Sequence, residues 1–210
     1  MQSNKKITDK RRFSVVMKIT AIVIVMAILI GSTAIYAGYY LHSTTMNQYY
    51  KNQVVNISKT LSKYIPADYI EQLKEAASDP ELETVREEAI ASDNPDLVKD
   101  WMIQKGVYDD YEKVLSILED FRNNMGMTYV YVLNNQANYS TYLADPDEDM
   151  TIFGKREDNT AGFEQYTSNE EIPPTVSEGE YGWLCSGYEP IYYEDGKAIA
   201  LIGVDISMNE

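Results

Sequence analysis

The longest feature of the hydropathy pattern is an apolar bar, Ile19 to Tyr40, 22 residues without a charge. At about 1.5 Å of rise per residue it makes roughly 33 Å of helix, enough for a bilayer core of about 30 Å. Beyond it, Met46, Tyr50, Val54, Ile57, Leu61 and Tyr64 recur in steps of four and three among polar residues, predicting a long helix that continues out of the bar with one apolar stripe. Pro66 interrupts that helix, and residues 68–76 predict a short separate one. Asp79-Pro80 and Asn94-Pro95 each set a capping side chain before a proline suited to a first turn, so helical pieces are expected over 79–96. A second stripe, Val107, Tyr111, Val114, Leu118, Phe121 and Met125, ends at Gly126, a C-terminal cap.

At Thr128 the period changes from helical to alternating. Residues 128–133 are rich in aromatic and β-branched side chains, Asn134–Asn138 supplies a turn, and residues 139–143 resume the pattern, which predicts a hairpin. Gly179–Cys185 and Tyr188–Tyr193 read as further strands, and Glu194-Asp195-Gly196 as a tight turn into Ala198–Ile206. That last run is apolar on both faces, which places it in the middle of a sheet. Helices over 41–126 and an antiparallel sheet over 127–208 give an α+β domain.

Charge divides the chain a second time. The net charge is -15, but residues 1–18 carry six cations against Asp9, and the rest of the chain holds 12 cations and 32 carboxylates. Six cations on one flank of the bar and none for ten residues after it put residues 1–18 in the cytoplasm, 19–40 across the membrane and 41–208 outside. Tyr36, Tyr39 and Tyr40 mark the outer interface. A cleaved signal peptide is the competing view, and the apolar stretch exceeds the roughly 7–15 residues usual for one. So acidic a body repels nucleic acid, which is excluded as a partner.

Candidate chemistry is sparse. His42, the only histidine, lies at the membrane edge, which removes a Ser-His-Asp triad and a multi-histidine zinc site from the body. Cys185 is the only cysteine, so no intrachain disulfide is possible. Asp145, Asp147 and Asp149 start a calcium-loop spacing, but Met150 stands where glycine is needed and Arg156 where glutamate is needed. No metal, cofactor or catalytic site is expected. The 18 tyrosines, many of them in the sheet half, offer apolar faces with hydroxyls, the chemistry of a small-ligand pocket. Alternation sets Tyr129, Tyr131 and Leu133 against Val130 and Val132 without saying which set faces the helices.

Tyr129-Val-Tyr-Val-Leu133, then Gly182-Trp-Leu-Cys-Ser-Gly-Tyr-Glu-Pro190-Ile and Gly203-Val-Asp205-Ile-Ser after the Asp-Gly turn, resemble the extracytoplasmic Cache sensors of bacterial transmembrane receptors. The resemblance covers roughly residues 41–208. It implies a membrane-proximal long helix and a PAS-like five-stranded sheet of the single-Cache form. It also implies a non-enzymatic sensor that binds a small molecule and relays the event to a cytoplasmic output, and on that basis a second span and an output domain are expected after Glu210. Asp205 reads as structural or transmissive. The candidate ligand-binding set is Tyr129, Tyr131, Tyr142, Asp145, Lys155, Arg156, Trp183 and Tyr188. Lys155 and Arg156 favour a carboxylate or amino acid, while Asp145 with Trp183 and Tyr188 would suit an amine instead. The stripe Met46–Tyr64 is the expected seam of a homodimer.

Overall fold

The computed structural model describes residues 2–159, 163, 165–179 and 181–208, residues 2–14 as backbone alone. It divides into two units, Met1–Met46 and Asn47–Glu210. The cationic side chains Lys5, Lys6, Lys10, Arg11 and Arg12, on which the orientation argument rests, lie outside the described residues, as does Glu210.

Helix α1 (Gln2–Leu61) forms the first unit and enters the second. From Val15 to Leu41 its apolar side chains are exposed: Ile30 is 65 % exposed and Ile35 76 %. By length and composition this helix can cross a membrane, with a mean hydropathy of 2.5 over its most apolar stretch.

The second unit builds its core from the stripe that α1 presents there. Val54, Ser58 and Leu61 are fully buried, and Tyr50 and Ile57 pack against the same core. The predicted dimer seam is therefore largely used within the domain's own fold. Helices α2 (Ala67–Ala77), α3 (Pro80–Ser92), α4 (Asp96–Lys105) and α5 (Tyr108–Met125) follow. Asp79 caps α3, accepting from the Glu81 N–H at 2.9 Å with Pro80 in the first turn. Asn94 does not cap α4, which starts after Pro95 with no side-chain cap. Gly126 closes α5 at φ 66°, a left-handed conformation that glycine adopts without penalty.

Among the described residues six antiparallel strands follow: β1 (Tyr129–Asn135), β2 (Tyr139–Ala144), β3 (Arg156–Asp158), β4 (Ile172–Gly179), β5 (Gly182–Tyr192) and β6 (Ala198–Ser207). They lie in the order β3-β2-β1-β6-β5-β4, with β6 in the interior as its two apolar faces require. The count differs from the five expected. Strand β3 is a three-residue edge. Strand β4, for which the sequence pattern makes no prediction over 172–178, contains Pro173 and Pro174; an edge strand tolerates them, and its pairing with β5 is irregular between Ile172 and Thr175. Gly179–Cys185 and Tyr188–Tyr193 are not two strands. Gly179 ends β4, and most of the remainder is the single strand β5, with Glu180 outside the described residues.

Asn134 and Asn135, expected in the turn, are instead the buried end of β1. The Asn135 amide N–H donates to Asn169 Oδ1 at 2.7 Å, and its side-chain amide donates to the carbonyls of Tyr166 and Ser168. Two asparagines are buried here because their hydrogen bonds are made.

Alternation resolves the two faces. Val130, Val132, Cys185, Ile191, Ile202, Val204 and Ile206 belong to the core shared with the helices. Tyr129, Tyr131, Ser186, Tyr188, Gly203 and Asp205 fall on the opposite face by their position in β1, β5 and β6.

Candidate functional site

That second face carries a cavity of about 330 Å³, floored by β1, β5 and β6 and walled by β2 and the segment that follows it. The wall segment is held from several sides. Asp149 caps a single 3-10 turn (Met150–Ile152), and the Thr151 carbonyl accepts from Arg86 Nε of α3 at 2.8 Å. Phe153 meets Tyr111 of α5 edge-on at 5.6 Å. The Gly154 N–H donates to the Tyr142 carbonyl at 2.9 Å, which returns the chain alongside β2. Gly154, at φ 77°, sits directly under Leu82, and a Cβ there would push the end of the Leu82 side chain aside.

Tyr131 lies across Gly203 on the neighbouring strand, and a Cβ there would collide with its ring. The tyrosine hydroxyl stands 3.3 Å from that of Tyr188, and its ring is 6.0 Å from Tyr142. Tyr129 and Tyr181 meet edge-on at 5.7 Å. Burial pushes the Tyr131 and Tyr188 phenols up, Tyr188 to about 12, so both stay neutral donors at ordinary pH.

The charges on this aromatic frame are mostly negative. Asp145, Asp147, Glu148, Glu157 and Asp205 line the cavity against one cation, Lys155. Lys155 is already engaged, with Nζ 2.6 Å from Glu157 and 5.9 Å above the Tyr142 ring. Asp147 is ion-paired with Arg122 of α5. Asp145 accepts the Asp147 backbone N–H at 2.9 Å, and burial pushes its carboxyl up to about 6, with Asp147 and Glu148 repelling it further. Asp205 is the least compensated. It is 5 % exposed, and its Oδ1 has no hydrogen-bond partner. Burial raises its carboxyl to about 6, with the hydroxyls of Ser186 and Tyr131 acting in the other direction.

Of the eight candidate residues, the fold brings together Tyr129, Tyr131, Tyr142, Asp145, Lys155 and Tyr188 around this cavity. Arg156 and Trp183 lie outside it. Lys155 and Glu157 point inward, so Arg156 between them points away and stacks 5.1 Å from the Tyr139 ring. Trp183 precedes the cavity-lining Leu184 on β5, and the same alternation turns it to the other face, 46 % exposed. Sequence reasoning missed Glu157, Tyr181, Ser186 and above all Asp205. The available signal was a carboxylate inside the otherwise apolar β6.

No cavity residue is a histidine or cysteine, and the Tyr142 hydroxyl donates to Glu157 Oε2 at 3.1 Å. What the arrangement can do is hold a cation: a buried carboxylate below, tyrosine faces at the sides and more carboxylates at the rim.

No family model matches the chain, and no curated protein matches it. Among solved structures it is similar to the ligand-binding domain of the Campylobacter jejuni chemoreceptor Tlp3 in complex with L-valine, at 18 % identity and TM-score 0.29, covering 83 % of this chain and 62 % of that one. It is also similar to the sensory domain of the same chemoreceptor with isoleucine bound, at 17 % identity and TM-score 0.27, covering 83 % of this chain and 61 % of that one. The chain thus spans less than two thirds of the length of the domains it is similar to, and at these TM-scores the likeness is loose.

Proposed function

We propose that the chain is the extracytoplasmic ligand-sensing region of a transmembrane receptor, of the Cache-like kind, and that its cavity takes a small molecule presenting an ammonium group to Asp205. The observation that carries this is the orphaned Oδ1 of Asp205 at the floor of a tyrosine-lined cavity. A buried carboxylate oxygen without a donor costs about 1–3 kcal/mol or more, so an uncompensated one in a cavity calls for a role. A cationic nitrogen supplies both the missing hydrogen bond and the missing charge. The carboxylate alternative is weaker, because Arg156 points away and Lys155 is held by Glu157.

Transmission follows from the strands that floor the cavity. Ser186 and Tyr188 line it, and Gly187 between them touches α1 on the other face, where a Cβ would come within 2.8 Å of Val54. A ligand that draws on β5 thereby shifts the packing of α1, which we take as the path to the membrane. The chain itself is assigned no catalytic step. A homodimer through α1 belongs to the same proposal, with Tyr49, Asn52, Asn56 and Thr60 as the exposed residues left for it.

Thermal melting of the full chain in detergent, against panels of primary amines, amino acids and organic acids, tests the proposal. Amines should stabilise it by about 2.7 kcal/mol at a hundredfold excess over Kd, and Asp205→Asn should abolish the effect. Stabilisation by organic acids alone would overturn the ammonium assignment. No stabilisation by any panel would favour a tethered interaction module instead.

A further inference from the structure

Resting on the proposal that Asp205 receives an ammonium, we infer that the natural ligand carries two separated cationic groups, as a short linear diamine does, and not the ammonium and carboxylate of an amino acid. Asp205 is one pole. The other is the rim pair Asp145 and Glu148, which face the same cavity.

Two of the five cavity carboxylates already have cations from the protein: Glu157 has Lys155 and Asp147 has Arg122. Asp145, Glu148 and Asp205 have no ion pair among the described residues. Asp145 is 8 % exposed and receives only a backbone N–H. Two uncompensated negative positions therefore remain after the protein's own charges are placed.

They are too far apart for one ammonium. Asp145 directly follows β2, and Asp205 lies two strands away on β6, with β1 between them. At about 4.8 Å per strand the carboxylates stand on the order of 10 Å apart. The faces of Tyr131 and Tyr142 lie along that interval, suited to a methylene chain in the middle and a cation at either end. A carboxylate placed at the rim would instead enter the field of Asp145 and Glu148, with Lys155 withheld by Glu157.

Calorimetric titration of the full chain in detergent with putrescine, butylamine and L-valine tests the inference. Putrescine should bind at least about tenfold more tightly than butylamine, since a second charge-assisted contact is made. Asp145→Asn with Glu148→Gln should weaken putrescine about tenfold more than it weakens butylamine, closing the gap between them. Asp145→Asn keeps an acceptor for the Asp147 N–H, so the loop is retained. Asp205→Asn should remove both. Equal affinity for putrescine and butylamine, or tighter binding of L-valine, would overturn the two-cation inference while the Asp205 proposal stood. Failure of all three compounds to bind would overturn both.

Discussion

Among single residues, Asp205 is a liability to the fold and an asset to the proposed site. Its folded carboxyl titrates at about 6, against about 3.9 for an unfolded aspartate. Below about pH 4 both states hold the proton and the residue is neutral in cost. Between those values only the folded state holds it, so stability falls as pH rises, and above about 6 the full cost is present. Asp79 and Glu81, held below the usual carboxylate range by hydrogen bonds to Lys105, act in the opposite direction at an exposed site. Comparing variants removes such background. Asp205→Asn should stabilise the chain at pH 7.5 by on the order of 2 kcal/mol, the difference fading toward pH 4. Denaturant titration at the two pH values checks this. A variant destabilised equally at both would mean that the carboxylate is paired in the native fold.

Among the elements, α1 approaches β5 closely at Gly187, which faces Val54. In Gly187→Ala the new methyl would lie 2.8 Å from Val54 side-chain carbons and 3.0 Å from its backbone carbon, so the strand or helix must shift. Overpacking of this kind costs about 1–3 kcal/mol. The expected result is a lowered melting temperature that Val54→Ala partly restores, whereas an unchanged melting temperature would remove this contact from the proposed relay.

The same elements show what the sequence disclosed. The helical stripes, the Asp79 and Gly126 caps and the central position of β6 followed from periodicity, because each depends on neighbours along the chain. Strand β4 was hidden by Pro173 and Pro174, which are acceptable only at a sheet edge. The candidate site was partly legible for a related reason. Its tyrosines announced themselves by type, but choosing between Lys155 and Arg156 needed the strand phase. Asp205 meets Tyr131 and Ser186 only through the pairing of β6 with β1 and β5. No local pattern encodes that pairing.

At the scale of the whole molecule, the uneven charge determines orientation and steering. A body with 32 carboxylates against 12 cations gathers cations around itself at low ionic strength, which favours an amine ligand before any contact is made. The six cations before the apolar bar predict that the body is outside. A reporter that fluoresces only in the cytoplasm, fused after Glu210, should therefore stay dark, and a bright cell would reverse the orientation.

A crystal structure of the chain soaked with butylamine shows whether an ammonium group completes Asp205. The amine nitrogen is expected about 2.7–2.9 Å from Asp205 Oδ1, within the cage of Tyr131 and Tyr188. Amine density elsewhere, with Oδ1 hydrogen-bonded to a protein donor, would contradict it.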